Sequence, residues 1–297
     1  MTSLEEWKNN GEFIEIEGRR VFSRRGGKTG GPVLLLIHGF PSASWDWEGV
    51  WETLGQRYEL VTLDMLGFGF SDKPTDWPYL ISAQAELFLN YLALLKVRSY
   101  HILAHDYGDT VAQELLARQL DNPKGSDSDR QDPKIESICF LNGGLFPETH
   151  KPVLIQKLLL SPLGSLVAKL TTKKKFTANF HRIFGPDTPP SKQLIDGLWD
   201  LLEINDGVSV MPKLIDYMAQ RRRFRERWVG ALVATSIPLK LICGALDPIS
   251  GSHMIARYRE LVPNANVTDL ETLGHYPQVE SPSAVAQAYF EYRDSIC

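Results

Sequence analysis

Ser99-Tyr100-His101-Ile102-Leu103-Ala104-His105-Asp106-Tyr107-Gly108-Asp109-Thr110-Val111-Ala112 reads as a short apolar strand, a tight turn and the start of an amphipathic helix. Ala104 and Gly108 are small because strand and helix pass close to each other at such a turn. The turn lifts its central side chain above the edge of the sheet, and that side chain is Asp106. An aspartate here could be a plain helix N-cap, since a carboxylate satisfies free backbone donors in a first turn. The preceding strand, the flanking small residues and two further residues downstream favour a reactive carboxylate instead. A carboxylate nucleophile suits attack on an electrophilic sp³ carbon, giving an ester with the protein that water then hydrolyses. The expected substrate therefore carries a strained ring or a good leaving group on carbon.

Working outward, chain order locates the partners of such a nucleophile: an acid and then a histidine, each on a loop after a later strand. Leu239 to Gly244 is an apolar strand leading into Ala245-Leu246-Asp247-Pro248, and Val267 to Leu270 leads into Leu273-Gly274-His275-Tyr276-Pro277. Asp247 fits the acid and His275 the base that draws a proton from the hydrolytic water. Upstream, Val33 to Ile37 runs into His38-Gly39-Phe40-Pro41, and the backbone N–H groups of Phe40 and Tyr107 are the expected oxyanion hole. His38 and His105 read as packing and hydrogen-bonding residues, because His275 already fills the base role. Asp64 reads as a turn residue. The following Gly67-Phe68-Gly69 lacks the Lys-Ser/Thr that a phosphate loop needs.

Strands and helices alternate along the chain, which predicts an α/β fold with a mostly parallel eight-stranded sheet and helices on both faces. An antiparallel pair is expected over Glu12 to Glu17 and Arg19 to Arg24. Further strands are expected over Val33 to Ile37, Glu59 to Asp64, Tyr100 to Ala104, Ile135 to Asn142, Lys240 to Cys243 and Asn266 to Leu270. The polar run Asp121 to Pro133 reads as a flexible surface loop. After Asn142 the pattern shifts to consecutive amphipathic segments, Val153 to Leu160, Ser165 to Phe184, Ser191 to Glu203 and Val208 to Gln220. The division expected is a first part of the core over residues 1–146, an inserted helical cap over 147–228 roofing Asp106, and a second part of the core over 229–297. Phe40, Trp45, Tyr107, Phe146, Trp199 and Tyr217 are candidates to line an apolar pocket.

The 297 residues suffice for one such domain with its insertion. A net charge of −4 gives no reason to expect nucleic acid. The basic runs Lys173-Lys174-Lys175 and Arg221-Arg222-Arg223-Phe224-Arg225 read as solvated faces of cap helices. The acidic, polar start does not read as a secretion signal, and no stretch reads as apolar enough to span a membrane; Leu154 to Leu170 is interrupted by Gln156, Lys157, Pro162 and Lys169. Cys139, Cys243 and Cys297 read as reduced thiols of a cytoplasmic protein. No pattern calls for a cofactor or a metal, and the partner expected is a small apolar organic substrate.

His38-Gly39-Phe40-Pro41, Asp64 through Ser71-Asp72-Lys73-Pro74, and His105-Asp106-Tyr107-Gly108 together resemble the α/β-hydrolase branch that holds epoxide hydrolases and haloalkane dehalogenases. Within it, Asn142-Gly143-Gly144, Phe146-Pro147-Glu148-Thr149-His150 and Arg227-Trp228-Val229-Gly230-Ala231-Leu232 resemble the mesoderm-specific transcript group. The likeness implies the fold and the roles of Asp106, Asp247 and His275. Dehalogenases of this branch hold the leaving halide between N–H donors, one of them a Trp directly after the nucleophile, where this chain has Tyr107. The His-Gly-Phe-Pro loop is the one typical of epoxide hydrolases. Those enzymes donate hydrogen bonds to the ring oxygen from two cap tyrosines, and here Tyr217 is the evident candidate. With Trp199 and Phe146 it makes up the expected substrate-binding set. Epoxide hydrolysis to a vicinal diol is the leading expectation, haloalkane dehalogenation the second, and a catalytically weak, hydrolase-like binding protein the third.

Overall fold

A computed structural model describes residues 2–122, 132–161 and 163–296. Most of the loop expected over Asp121 to Pro133, and Cys297, lie outside the described residues. Eight strands, β1 (Glu12–Ile16), β2 (Arg19–Gly27), β3 (Val33–Ile37), β4 (Glu59–Leu63), β5 (Ser99–His105), β6 (Lys134–Leu141), β7 (Leu239–Gly244) and β8 (Val267–Leu270), form one sheet. Their order is β1-β2-β4-β3-β5-β6-β7-β8. The β1–β2 and β2–β4 pairings are antiparallel and all others parallel, as the alternation of elements predicts. Glu17 and Gly18 join β1 to β2 with positive φ of 51° and 70°, the backbone that a two-residue hairpin requires.

The middle strands read as continuous apolar runs because helices cover both faces of the sheet. Leu34, Leu35, Leu36 and Ile37 of β3, and Ile102, Leu103 and Ala104 of β5, are fully buried. On one side the helices Glu48–Gly55 and Pro282–Ser295 pack together; on the other, Tyr107–Asp121 packs between Ile81–Leu94 and Arg225–Ala234. Glu114 ties this second layer together, its carboxylate accepting from Trp228 Nε1 at 2.8 Å, Arg227 Nε at 2.9 Å and Arg118 Nε at 3.0 Å. The helix Arg225–Ala234, which crosses position 228, already packs on the core helix Tyr107–Asp121.

Because β3, β5, β6, β7 and β8 run parallel, the loops that follow them leave from one edge of the sheet. Those loops carry Phe40, Asp106, Asn142, Asp247 and His275. Between β6 and β7 the chain makes the cap helices Leu154–Leu159, Gly164–Lys169, Lys173–Ile183, Lys192–Glu203, Gly207–Leu214 and Tyr217–Arg223. Two segments that the sequence pattern joins are divided. The expected Ser165 to Phe184 helix breaks at Thr171-Thr172, where Thr172 Oγ1 caps a new helix by accepting from Lys175 N at 3.4 Å. The expected Val208 to Gln220 helix breaks at Ile215-Asp216, just past Pro212, whose ring nitrogen can donate no helical hydrogen bond.

Candidate active site

Asp106 sits between β5 and the helix Tyr107–Asp121 with φ 48° and ψ −103°, a conformation that costs a non-glycine residue of order 1–3 kcal/mol. Two glycines let the surrounding backbone enforce it. A Cβ at Gly108 would lie 2.4 Å from the Ile37 carbonyl oxygen, and one at Gly39 would lie 2.6 Å from His105 Nδ1 and 3.0 Å from Asp106 Cβ. The loop after β3 therefore presses against the turn, and Phe40 N–H donates to Asp106 Oδ2 at 3.2 Å. Tyr107 opens the helix, so its N–H has no acceptor within that helix.

His275 Nδ1 lies 2.7 Å from Asp247 Oδ2, and both residues are buried. Asp247 is held from every side: Ser250 Oγ donates to Oδ2 at 2.7 Å, Asn142 Nδ2 to the same oxygen at 3.0 Å, and Ile249 N–H to Oδ1 at 2.7 Å. Burial alone would raise the Asp247 pKa, but His275 and these donors outweigh it and hold the group ionised below its usual range. For His275, burial opposes the charged ring. Asp247, by charge and hydrogen bond, and then the Asp106 carboxylate, reverse this and raise its pKa to about 9. Asn142, at the end of β6, also accepts from Gly244 N–H at 2.7 Å and so clamps the loop that carries the acid.

Burial shifts three neighbouring titratable groups, His105, His38 and Asp109, toward their neutral forms. His105 is fully buried, its pKa lowered to about 3 by burial and by His275, and its Nε2 lies 2.8 Å from the His275 carbonyl oxygen. His38 accepts from Met65 N–H at 3.1 Å through Nε2 and faces the Gly39 carbonyl oxygen at 2.9 Å through Nδ1, a neutral tautomer that burial favours. Asp64 accepts from Ser44 N–H at 2.8 Å and Phe70 N–H at 2.7 Å, which is turn bonding. Asp109, one turn into the helix, is pushed well above the carboxylate range by burial and by the charge of Asp106.

Arg221 corrects the reading of its basic run. The helix Tyr217–Arg223 sets Tyr217 and Arg221 one turn apart on one face, and both are buried against the elbow. Arg221 Nη2 donates to the Asp106 carbonyl oxygen at 2.9 Å and stands 3.8 Å from Asp106 Oδ1, while Nε donates to Thr110 Oγ1 at 2.7 Å. Its guanidinium stacks 4.4 Å from the Tyr217 ring centre. Gly144 makes room for it, since a Cβ there would lie 2.2 Å from Arg221 Nη1 and 3.0 Å from His150 Nδ1. Arg222 and Arg223 are exposed as expected, and Arg225 pairs with Glu148 at 2.7 Å. The i, i+4 spacing of Tyr217 and Arg221 is the sequence signal for this contact. Asn142 and Ser250 carry no comparable signal, because their roles depend on strands far apart in the chain.

Tyr217 packs on Phe40 and Tyr107 at ring distances of 6.2 and 4.9 Å. Its buried hydroxyl makes no hydrogen bond of good geometry among the described residues, although the Arg221 guanidinium lies within its reach. Burial and then the Asp106 charge push its pKa upward, so the phenol keeps its proton. A cavity of about 240 Å³ reaches Phe40 and His275, with Leu159, Phe176, Phe180 and Met211 among its walls. Asp106, Tyr107 and Tyr217 lie beyond its lining, as do Phe146 and Trp199. Phe146 packs on Tyr258 at 6.4 Å, and Trp199 packs behind the wall on Phe176 at 5.5 Å. Trp45 is likewise turned to structure, its Nε1 donating to the Thr2 carbonyl oxygen at 3.3 Å. Among the described residues no group of His, Cys, Asp and Glu is arranged to hold a metal ion.

The sequence pattern of the alpha/beta hydrolase fold matches residues 32–282. Mesoderm-specific transcript protein of Mus musculus is 41% identical, the alignment covering 99% of this chain and 88% of that protein. The putative hydrolase LipZ of Mycobacterium tuberculosis is 40% identical, with 96% of each covered. Among solved structures, a putative lipase from Acinetobacter baumannii superposes with a TM-score of 0.81 at 19% identity, covering 98% of this chain and 94% of that one. At that identity the likeness concerns the fold alone.

Removing the guanidinium should be costly, because it leaves the Asp106 carbonyl and a buried carboxylate short of their cation. Arg221→Met is expected to lower the unfolding free energy by about 3–5 kcal/mol, and Arg223→Met on the exposed face by no more than about 0.5 kcal/mol. Equilibrium denaturation of the two variants measures the difference. Equal, small losses would mean that Arg221 does not support the elbow.

Proposed function

The chain belongs to the alpha/beta hydrolase family, and we propose that within it this protein is a hydrolase with an aspartate nucleophile that opens epoxides to vicinal diols. The observation that carries this reading is the pairing of a carboxylate at the elbow with a protonated phenol, Tyr217, packed over Phe40. A carboxylate attacking an ester would give a reactive mixed anhydride, so acyl transfer is a poor use of Asp106. An oxirane needs only a backside nucleophile and a donor for the oxygen that leaves carbon.

In the first step Asp106 attacks a ring carbon, the C–O bond breaks, and the ring oxygen leaves as an alkoxide that accepts a hydrogen bond from Tyr217. The alkoxide takes up one proton. His275, charged at rest because its pKa stands at about 9, can make that proton good. Asp106 is now a neutral ester, so one of the charges that raised the His275 pKa is gone and the neutral imidazole is favoured. In the second step His275 removes a proton from water as the water attacks the Asp106 ester carbonyl, with Asp247 steadying the imidazolium that forms. The N–H groups of Phe40 and Tyr107 stabilise the tetrahedral oxyanion. Its collapse releases the diol and restores the carboxylate and the charged histidine, so the proton account closes over one turnover.

The burial of Asp106 assists both steps, since it keeps water from the carboxylate and strengthens its contacts with the donors. A haloalkane would make different demands. Its halide would need N–H donors, Tyr107 supplies no indole, and each turnover would leave a proton to be exported.

His275→Gln should still form the ester, since the alkoxide can draw its proton from Tyr217 or from water, and then stall, so intact-mass measurement with an aryl epoxide is expected to show one stable adduct per chain, carried by Asp106. A fully active variant that shows no adduct would place the base elsewhere. Tyr217→Phe should slow alkylation by about 10²-fold, as loss of an oxyanion donor does elsewhere, in pre-steady-state traces with the same epoxide. An unchanged rate, or halide release from bromoalkanes outrunning diol formation from every epoxide tried, would move the assignment to dehalogenation.

A further inference from the structure

The cap contains a stretch whose charge runs against the rest of the chain. From Thr149 to Pro186 there is no acidic residue, while Lys151, Lys157, Lys169, Lys173, Lys174, Lys175 and Arg182 are cationic, in a protein of net charge −4. Lys173 is turned to Asp196 at 2.8 Å. Lys157, Lys169, Lys174 and Lys175 are exposed.

Apolar exposure concentrates in the same place. Leu154, Leu158, Leu163, Leu166 and Leu170 are 70, 42, 64, 53 and 57% exposed, and they make up half of the ten large apolar side chains exposed among the described residues. All five lie on or beside the helices Leu154–Leu159 and Gly164–Lys169. The inner faces of these helices are ordinary core, with Gln156, Leu159 and Ala168 buried. Of the first helix, Leu154, Ile155, Gln156 and Leu159 also border the cavity that reaches His275. Patches of this kind mark a surface that is covered in use.

We propose that this face of the cap seats on an anionic lipid bilayer. Leu158, Leu163, Leu166 and Leu170 would enter the interfacial region, and Lys157, Lys169, Lys174 and Lys175 would meet the phosphate and carboxylate headgroups. Apolar side chains flanked by uncompensated lysines match a bilayer, which offers apolar depth beneath a negative surface; the lysine stems reach up from the apolar level to the charged one. Because the helix Leu154–Leu159 also forms a wall of the cavity, an apolar molecule dissolved in the bilayer would meet the site across a single helix. The proposal concerns delivery and is independent of which bond the site breaks.

Co-sedimentation of the full chain with vesicles tests it, using phosphatidylcholine alone and phosphatidylcholine mixed with phosphatidylserine. Uptake by the mixed vesicles, weakened by added salt, is the expected result. Leu163→Ser/Leu166→Ser and Lys169→Glu/Lys174→Glu/Lys175→Glu should each lower the partition coefficient by about tenfold or more. Both variants should melt at the wild-type temperature, because none of these side chains is buried. Retention of the wild-type chain in the supernatant with mixed vesicles would overturn the proposal, as would equal binding by the wild type and both variants. Self-association that the leucine variant abolishes, without vesicle uptake, would assign the face to a second copy of the chain.

Discussion

A buried carboxylate is the constraint around which the rest of the molecule is arranged. Asp106 is 3% exposed, and removing an ionised carboxyl group from water costs several kcal/mol unless donors and cations replace the water. Four distant parts of the chain answer this: Phe40 N–H from the loop after β3 donates, Arg221 from the last cap helix and His275 from the loop after β8 bring positive charge, and Asp247 behind His275 keeps that ring charged. Each is positioned by something rigid. The parallel strands bring three of the four loops to one edge of the sheet, and the cap contributes the fourth group by laying the Tyr217–Arg223 helix across the elbow.

The charges are also graded. Asp109 lies one turn from Asp106, and burial together with that neighbouring charge pushes its pKa well above the usual carboxylate range. His105 and His150, with pKa values lowered to about 3 by burial first and then by His275 and Arg221 respectively, add no further cation. What remains is a carboxylate, a guanidinium and an imidazolium whose charge depends in part on the carboxylate. On the proposed route, converting Asp106 to an ester would loosen that dependence and let a histidine charged at rest serve as the base.

Much of this arrangement was legible in the sequence, for a physical reason. Strand residues buried on both faces leave unbroken apolar runs, and the loops at their carboxyl ends are short, so Asp106, Asp247, His275 and Phe40 each stand within a few residues of a recognisable strand. The cap carried a weaker signal. Amphipathic periodicity continues through Thr171-Thr172 and Ile215-Asp216, although local capping and Pro212 divide the helices there. Burial among helices with apolar residues on several sides is decided by tertiary packing, so Phe146 and Trp199 looked like pocket walls and instead pack on Tyr258 and Phe176. Arg221 was hidden by composition: it stands at the head of a run of arginines whose next two members do face solvent.

The account stands or falls on whether the Asp106 carboxylate itself becomes covalently joined to substrate. A single turnover in H₂¹⁸O, with enzyme in excess over an aryl epoxide, followed by proteolysis and mass spectrometry, addresses that directly. The ester route predicts heavy oxygen in the carboxylate of the Asp106 peptide and unlabelled oxygen in the first diol released. Heavy oxygen in the diol, with none in Asp106, would mean that water attacks the substrate directly and would contradict the account.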